Sequence, residues 1–484
     1  MAVLTGLEPA GVFRYFEEIC AIPHGSGNTK QISDYCVQFA KQHGLSWIQD
    51  NSNNVILYKG GTPGYEQSAP VILQGHLDMV CEKEPDCEID FEKDGLSLQV
   101  RDGMIFAEGT TLGGDDGIAV AYALALLDAE DLAHPPLEVV LTTDEETGLY
   151  GASALDASVL RGRRMLNLDS EEEGILLAGS AGGCRANCHL PVRRREALGL
   201  PVALMIGGLA GGHSGEEIHK GRANANQLLG RLLNELQKTV PYDLILVSGG
   251  TKENAIPRQA RAELLLDPAN EGAFRECVEK YGRIFAAEYQ VTDPALFCGC
   301  GFSEGGRRSA FVLEDVSKKA VIAALVNLPG GVQCMSADIP GLVQTSLNLG
   351  VLETKDDRVE LSFSVRSSVG TQKEELVSRL VSLIGLLGGT VTCTGDYPAW
   401  EYNRDSRLRE LMVTVFEEQY GHKPVVQMIH AGLECGLFAE KLPGLDCVSF
   451  GPDMIDIHTA RERMSIASVQ RTWKYLLEVL KRLK

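Results

Sequence analysis

Residues 71–80 read VILQGHLDMV and residues 110–128 read TTLGGDDGIAVAYALALLD, and these two segments set the architecture expected for the chain. The first is a short apolar run that ends in charged residues, as a buried strand and its following loop do. The second is a glycine-rich turn that leads into an Ala- and Leu-rich helical segment. Two further strand-like runs follow at residues 137–143 and 165–168. Strands that alternate with helices predict an α/β sheet with both faces covered.

The length, charge and cysteine content indicate a multidomain protein of a reducing compartment. The chain has 484 residues, and single hydrophobic cores stop growing beyond roughly 250–300 residues. Its 45 Lys and Arg against 66 Asp and Glu give a net charge of −21, which argues against nucleic-acid and anionic membrane partners because these bind clustered Lys and Arg. Thirteen cysteines are an odd number, and secreted proteins seldom carry so many unpaired thiols.

The first twenty residues and the apolar runs predict a cytoplasmic location. The segment MAVLTGLEPAGVFRYFEEIC has no basic region followed by an apolar core and a small-residue cleavage site. The longest apolar run, from Ile118 to Leu127, is far shorter than the roughly 20 residues that span a bilayer.

The middle of the chain has a different pattern from either end. From about Cys184 the sequence changes, and VRRREALGL at residues 192–200 is interpreted as a basic, polar connector. The segments at residues 342–353 and 358–368 alternate with period two around a polar turn, which predicts an antiparallel hairpin. Near Val391 the alternation of strands and helices returns. The middle is therefore predicted to be an inserted α+β module.

Four polar clusters follow the predicted strands of the first third. They are His76 with Asp78, Asp115 with Asp116, Glu145 with Glu146, and Asp169. Each cluster alone fits a structural role, such as a helix cap or a solvated acidic loop. Together they favour a metal site, because one His with several carboxylates is a ligand mixture for zinc, manganese or cobalt.

Other chemistries fit the sequence less well. The segment AGSAG at residues 178–182 has Ala at the first Gly position of a nucleophile elbow. No Walker A sequence occurs, and the paired acids at 115–116 would repel phosphate. Cys298 and Cys300 have no second cysteine pair at zinc-ribbon spacing.

The ordered motifs as a set resemble one family of peptidases. GHLDMV, GGDDGIA, DEETG, LNLDSEE and IHTARERM occur in that order, and EICAIPHGSGN, GGHSGEEI, TSLNLG, SVRSS and YPAWEYN extend the match over essentially the whole chain. The chain is similar to the cocatalytic-zinc metallopeptidases, which include carboxypeptidase G and peptidase T, and most similar to their aminoacyl-histidine (cytosolic non-specific, Xaa-His) dipeptidase branch. The resemblance implies a discontinuous α/β catalytic domain at residues 1–184 and 391–484, with a lid and dimerisation domain inserted at residues 185–390.

The resemblance also implies roles for most of these polar residues and for others later in the chain. Each subunit would bind two Zn²⁺ ions, with Co²⁺ or Mn²⁺ as substitutes. His76 and Asp169 would bind one ion, Glu146 and His458 would bind the other, and Asp115 would bridge the two. Glu145 would be the general base, and Asp78 would orient His76. In the lid, His213 would reach the partner's active site and stabilise the oxyanion, Asn254 and Arg366 would hold the substrate's carboxylate, and His430 would contact substrate.

The sequence alone leaves three functional hypotheses open. The leading one is metal-dependent hydrolysis of unblocked dipeptides, of Xaa-His type or broad specificity, by a homodimer that joins through the lid. A related amidohydrolase would remove an acyl or carbamoyl group from an amino acid with the same metals and lid. A metal-stabilised scaffold without activity is the third, and it has no need for a base at Glu145. A small peptide is the expected partner, with no nucleic acid and no membrane.

Overall fold

The structure is a computed structural model that describes residues 3–484. Its helices are α1 Ala10–Cys20, α2 Lys30–Gln42, α3 Gly114–Asp128, α4 Tyr150–Ala154, α5 Ala225–Thr239, α6 Glu271–Glu288, α7 Asp315–Asn327, α8 Gly370–Leu386, α9 Arg407–Tyr420, α10 Glu434–Lys441 and α11 Ile466–Arg482. Its strands are β1 Ser46–Gln49, β2 Val55–Lys59, β3 Val71–His76, β4 Leu98–Arg101, β5 Met104–Ala107, β6 Leu137–Thr142, β7 Arg164–Asn167, β8 Ile175–Ser180, β9 Gly182–Pro191, β10 Arg194–Gly207, β11 Gly212–His213, β12 Tyr242–Gly249, β13 Ala255–Ile256, β14 Ala260–Leu266, β15 Phe297–Phe302, β16 Arg308–Leu313, β17 Gly331–Met335, β18 Val343–Thr354, β19 Arg358–Ser367, β20 Thr390–Tyr397, β21 Val425–Ile429, β22 Asp446–Ser449, β23 Met454–Ile455 and β24 Arg463–Ser465. Short 3₁₀ turns occur at Ala157–Val159, Ile218–Lys220 and Pro268–Asn270.

The chain divides into two compact units. Unit 1 contains the chain up to Ser180 together with Trp400–Ile429 and Leu433–Lys484. Unit 2 contains Ala181–Ala399 and the short segment His430–Gly432. Unit 1 is therefore built from both ends of the chain, and unit 2 is inserted between them.

Unit 1 is built on a mixed eight-stranded sheet. Its strand order is β1-β2-β6-β3-β7-β22-β8-β21. β3 runs parallel to its neighbours β6 and β7, and β22 runs parallel to β7. Every residue of β3 and β6 is buried, which is why these strands are continuous apolar runs in the sequence. Because β6, β3 and β7 are adjacent and parallel, their carboxyl ends meet at one edge of the sheet.

Helix α3 packs directly on β3. All of its residues before Asp128 are buried, as expected for a core helix that is apolar on every side. The two elements are in close contact at Gly75, where an added Cβ would lie 2.6 Å from the Cβ of Ala119. This close packing brings the first turn of α3 to the carboxyl end of β3.

A small sheet of unit 1, in the order β23-β24-β5-β4, holds the loop before α11. β23 and β24 flank residues 456–462. Within this loop Asp456 and His458 have φ angles of 56° and 58°, a left-handed conformation that is uncommon for residues other than glycine. The hydroxyl of Tyr122 in α3 donates to the carbonyl of Val469 in α11 at 2.9 Å. The carboxyl-terminal part of the chain is thus fixed to the core of the first part.

Unit 2 is an antiparallel sheet covered by helices. Its strand order is β15-β10-β14-β12-β18-β19-β9-β20, with β16 also paired to β10 and β17 to β18. Helices α5, α6, α7 and α8 pack on these strands. The predicted hairpin is present as β18 and β19, which pair antiparallel from Thr345–Ser367 to Thr354–Val359.

The prediction of a polar connector at residues 192–200 is wrong. Most of this segment belongs to β10, which pairs with β16 from Arg194 to Gly199 and continues against β14 and β15. The guanidinium of Arg194 donates to the carbonyls of Ile245 and Lys355 at 3.1 and 3.0 Å. These carbonyls come from other parts of the chain, so contacts that are distant in sequence outweigh the local polarity.

The predicted fold class is confirmed as an α/β unit from both ends of the chain with an α+β unit inserted. In the described part of the chain, no helix combines the length and apolar character needed to cross a bilayer.

Candidate active site

Four segments bring polar side chains to the carboxyl edge of the unit 1 sheet. His76 ends β3, Glu145 and Glu146 follow β6, and Asp169 follows β7. Asp115 comes from the first turn of α3. Residues that are far apart in sequence meet here because the parallel strands end at the same edge.

The carboxylate of Asp115 faces two imidazoles. Its Oδ1 lies 3.1 Å from Nε2 of His76, and its Oδ2 lies 3.2 Å from Nε2 of His458. The same nitrogen of His458 lies 2.9 Å from Oε1 of Glu146. Asp169 Oδ1 lies 4.0 Å from His76 Nε2. Asp115 is therefore placed between two histidines, each of which has a second carboxylate beside it.

Candidate ligand atoms form three overlapping groups, and within each group all the atoms lie within 4.8 Å of one another. The groups are His76, Asp116 and Asp169; His76, Glu145 and Glu146; and Asp115, Glu146 and His458. Asp116 received no role in the sequence analysis, and its peptide bond with Asp115 is cis. Its Oδ2 accepts a hydrogen bond from the backbone N–H of His76 at 3.1 Å.

The donor set fits divalent cations. Oδ2 of Asp169 and Oδ1 of Asp116 are buried without a hydrogen-bond partner. Burial and nearby carboxylates raise the pKa of both acids well above its usual range. Buried carboxylates that outnumber the cationic groups around them are costly unless a cation is bound. Histidine nitrogens and carboxylate oxygens together are ligands that zinc, manganese and cobalt accept.

Asp78 links His76 to the loop that carries Glu145. Nδ1 of His76 donates to the backbone carbonyl of Asp78 at 2.9 Å and lies 3.5 Å from its carboxylate. That carboxylate also accepts hydrogen bonds from the Ser26 hydroxyl at 2.8 Å and from the Glu145 backbone N–H at 3.1 Å. Burial alone would raise the pKa of Asp78, but His76 and these hydrogen bonds hold it below its usual value. The contacts fix the His76 ring so that Nε2 points at Asp115.

Glu145 lies among acidic groups. Burial, followed by the charges of Asp169, Glu434 and Glu146, raises its pKa well above the usual value, and His76 opposes the shift. A carboxylate in such surroundings binds a proton readily.

Glu462 holds the turn that presents Asp115. Its buried carboxylate accepts hydrogen bonds from the backbone N–H groups of Leu112 at 2.8 Å, Gly113 at 3.1 Å, Gly114 at 2.8 Å and Asp115 at 3.4 Å. Only 3% of the residue is exposed. Four backbone donors that converge on one carboxylate form an anion site at the start of α3. Glu462 therefore fixes the backbone of a candidate ligand, and it belongs to none of the three candidate ligand groups.

A second buried carboxylate lies behind the site. Glu434 Oε2 accepts hydrogen bonds from Gln74 at 2.5 Å and from Thr142 at 2.6 Å, while Oε1 has no partner. Burial raises the pKa of Glu434 to about 7. Gln74 and Thr142 belong to the neighbouring strands β3 and β6, so this carboxylate joins the strands whose ends carry His76 and Glu145.

The other predicted site residues, His213, Asn254, Arg366 and His430, belong to unit 2. Three of them surround Gly215, where an added Cβ would lie 3.0 Å from the His430 carbonyl oxygen, 3.1 Å from Cε1 of His213 and 3.3 Å from Cζ of Arg366. The backbone carbonyl of Asn254 accepts a hydrogen bond from Ser214 at 2.8 Å. The structure therefore brings His213, Arg366 and His430 together, with Asn254 connected to them through its backbone.

Arg366 carries the charge of this group. Burial and the nearby guanidinium of Arg366 lower the pKa of His213 and lower that of His430 to about 3. Both imidazoles are consequently neutral at pH 7, and they leave one positive charge beside neutral hydrogen-bonding groups.

The match to known proteins covers nearly the whole chain. A profile described as peptidase family M20/M25/M40 matches residues 72–482. The chain belongs to this family. It is 38% identical over 483 residues to the cytosol non-specific dipeptidase of Escherichia coli (strain K12), with 99% of each chain covered.

Solved structures of other proteins agree with membership of the M20/M25/M40 family. The crystal structure of aminoacylhistidine dipeptidase from Vibrio alginolyticus matches with a TM-score of 0.93 at 36% identity, covering 99% of this chain and 97% of that chain. Aminopeptidase PepT from Bacillus cereus matches with a TM-score of 0.57 at 14% identity over 99% of both chains, which shows a shared fold alone. The family resemblance inferred from the motifs is confirmed, and the chain is an M20/M25/M40 peptidase.

Three acidic residues near the candidate metal centre of this M20/M25/M40 peptidase received no role from sequence reasoning: Asp116, Glu434 and Glu462. Glu462 lies four positions after His458 in IHTARERM, so a charged residue inside a quoted motif was an available signal. Glu434 lies in HAGLECG, the segment in which His430 is the predicted substrate contact. Nothing local distinguishes such carboxylates from surface acids, because their burial depends on distant strands.

Glu462→Gln is expected to weaken metal binding by roughly 10–100-fold, as loss of an orienting group around a metal site does. The amide can accept on one side only and would turn its NH₂ toward backbone N–H donors, which leaves the turn before Asp115 without its partner. Zinc affinity measured by competition with a chelator checks this, with exposed Glu108→Gln as the matched control. Equal zinc affinity in both variants would contradict the role of Glu462.

Proposed function

We propose that this M20/M25/M40 peptidase hydrolyses unblocked dipeptides with two zinc ions per chain. The observation that carries the proposal is the placement of Asp115, whose two oxygens lie 3.1 and 3.2 Å from nitrogens of two different histidines. One carboxylate between two imidazoles is the arrangement needed to bridge two cations. Two relatives with 38% and 36% identity match this chain over nearly its full length, and both are named as dipeptidases. Their names support the proposed reaction.

The proposed metal ligands are His76 and Asp169 for one ion, Glu146 and His458 for the other, and Asp115 for both. The short distances from His458 to Asp115 and Glu146 support the second group. The unpartnered Oδ2 of Asp169 supports the first. Asp116 belongs to the first group by distance, but its hydrogen bond to the His76 backbone fits a supporting role.

A pair of cations held by these residues would supply a lowered pKa for water and polarisation of the scissile carbonyl. Glu145 is proposed to take a proton from the attacking water on its carboxylate and to deliver it to the leaving amine. The Asp78 carboxylate accepts a hydrogen bond from the Glu145 backbone N–H, and the Asp78 backbone carbonyl accepts one from the His76 ring. It is therefore proposed to keep the base and a ligand in a fixed relation.

The group around Arg366 is proposed to bind the substrate. Arg366 and Asn254 would hold the free α-carboxylate, because a guanidinium binds a carboxylate through two parallel hydrogen bonds. His213 would stabilise the oxyanion of a partner subunit's reaction, and His430 would contact substrate. The neutral state of both imidazoles, which leaves the charge of Arg366 available to an anion, supports this assignment.

A homodimer that joins through unit 2 and a cytoplasmic location complete the proposal. The name of the Escherichia coli relative, a cytosol dipeptidase, supports the location. All thirteen cysteines lie among the described residues, and all are free thiols there, which suits a reducing compartment.

Purified protein is expected to cleave Ala-His and Gly-Leu, to leave N-acetyl-Leu intact, and to lose this activity in EDTA. Added zinc or manganese should restore it, since the candidate ligands suit either ion. Release of free amino acids, measured with and without chelator, checks the expectation, with Leu-Gly-Gly as a test of length selectivity. Full activity in EDTA would contradict metal dependence.

Cleavage of N-acetyl-Leu with both dipeptides untouched would instead support the acyl amidohydrolase. The metal centre would then stand, and only the proposed substrate would fall. No turnover of any compound by metal-loaded protein would favour the scaffold hypothesis.

A further inference from the structure

One row of residues crosses four neighbouring strands of the unit 2 sheet. β18, β19, β9 and β20 are adjacent in that order. The register aligns Ser346 with Arg366, Arg366 with Gly183, and Gly183 with Tyr397. Residues directly opposite one another in antiparallel strands point to the same face of the sheet. Ser346, Arg366 and Tyr397 therefore share one face, with a glycine between the last two.

The glycine makes room for Tyr397 to reach Arg366. An added Cβ at Gly183 would lie 2.6 Å from the Tyr397 hydroxyl oxygen and 2.8 Å from Cζ of its ring. On the other side, an added Cβ at Gly432 would lie 2.8 Å from Cε2 of the same ring. The tyrosine ring thus occupies space that two glycines leave free. Its hydroxyl accepts a hydrogen bond from Nη1 of Arg366 at 3.2 Å.

On the opposite side of Arg366, a serine and a histidine are in contact. The Ser346 hydroxyl lies 2.7 Å from Nε2 of His430, and Nδ1 of His430 is buried without a partner. Ser346 is the cross-strand neighbour of Arg366. The guanidinium is therefore flanked by Tyr397 on one side and by a serine-bound imidazole on the other.

Arg366 itself has capacity left for a ligand. Its Nε is buried and has no hydrogen-bond partner. Among residues 3–484, no carboxylate forms an ion pair with this side chain, and its side-chain hydrogen bond goes to the Tyr397 hydroxyl. A guanidinium has five N–H donors, and a carboxylate is the group that matches them in pairs.

We propose that Tyr397 is a positioning residue that holds the Arg366 guanidinium ready for the α-carboxylate of the substrate, and that Gly183 provides the space this requires. The inference rests on the proposed function, in which Arg366 binds that carboxylate. By accepting one N–H of Arg366, Tyr397 fixes the guanidinium plane and leaves other N–H groups for the ligand. Pre-orientation of this kind lowers the entropy cost of binding. The row therefore selects substrates that end in a free carboxylate.

Tyr397→Phe tests the role of the hydroxyl. KM for Gly-Leu should rise at least about tenfold, the effect of losing a hydrogen bond to a charged group, while kcat stays unchanged. Tyr281→Phe is the matched control. The Tyr281 hydroxyl also bonds a charged group, the Glu235 carboxylate at 2.9 Å, but Tyr281 lies on α6 and not in the row of strand residues. This control should keep the wild-type KM.

Gly183→Ala tests the space above the glycine. The new methyl group would displace the Tyr397 ring, so this variant should show the same rise in KM as Tyr397→Phe. The double variant should be no worse than either single variant, since both remove one interaction. Gly301→Ala is the control, because it is also in a strand of this sheet and an added Cβ there meets nothing within 4 Å.

Binding of leucine and leucinamide separates this inference from the proposed reaction. Leucine carries the α-carboxylate and is a product of both Gly-Leu and N-acetyl-Leu cleavage, whereas leucinamide lacks the charge. Calorimetry should show that Tyr397→Phe weakens leucine binding and leaves leucinamide binding unchanged. Equal effects on both ligands, or no effect on either, would overturn the inference. If the wild type cleaves no dipeptide but the difference between the ligands persists, the proposed function fails and the inference stands.

Discussion

Glu145→Gln is expected to lower kcat for dipeptide hydrolysis by about 10²–10⁴-fold, the usual contribution of a general acid–base group. Metal content should stay at the wild-type level. The amide has nearly the shape of the carboxylate, and the Glu145 backbone N–H that donates to Asp78 at 3.1 Å is unchanged. The side chain loses only its ability to take a proton. Turnover of Gly-Leu and metal analysis of the same dialysed sample check both parts.

Glu146→Gln is the matched control, because it makes the same chemical change at the next residue. Glu146 Oε1 lies 2.9 Å from Nε2 of His458, so its variant should lose metal together with activity. If Glu145→Gln keeps its metal and Glu146→Gln loses it, the results identify Glu145 as the base and Glu146 as a ligand. If Glu145→Gln also loses its metal after dialysis, the assignment of Glu145 as the base is wrong.

Asp115→Ala is expected to have the largest effect on metal content, with loss of both ions and activity no higher than that of chelator-treated wild type. The physical reason is that one side chain lies against both histidines, with Oδ1 near His76 and Oδ2 near His458. Its removal takes one proposed ligand from each of the two ions and also removes the negative charge between the two histidines. Metal analysis and Gly-Leu turnover after addition of excess zinc check the expectation.

Glu172→Ala is the control for Asp115→Ala, because this exposed acid follows β7 close to Asp169. It changes the net charge by the same amount and should keep both metal and activity. If Asp115→Ala loses only one ion, a bridging role is contradicted and Asp115 is assigned as a ligand of a single ion.

Much of the fold could be predicted from local pattern. The hairpin of β18 and β19 was visible because alternation with period two reports one buried face. β3 and β6 were visible because strands buried on both faces are continuous apolar runs. The first half of β10 was missed, since Arg194 and its neighbours look like a polar linker until the carbonyls of Ile245 and Lys355 are brought to them.

The candidate site divides in a similar way. The residue types and order of the motifs pointed to His76, Asp115 and Asp169, because few chemistries need this mixture of ligands after successive strands. Glu462 could not be found in the same way. Its role depends on four backbone N–H groups in a turn that lies about 350 positions earlier in the chain.

The amino-acid sequence by itself determined the alternation of strands and helices, the inserted α+β module, the membership of a peptidase family and the set of acids and histidines. These properties depend on composition, periodicity and the order of motifs, which are local. Tertiary structure alone decided that Asp115 faces two histidines and that Glu462 is buried against the turn that precedes Asp115. It also decided that Gly183 lies between Arg366 and Tyr397 in the strand register. Those relations depend on strand order, register and burial, which arise only when distant segments pack together.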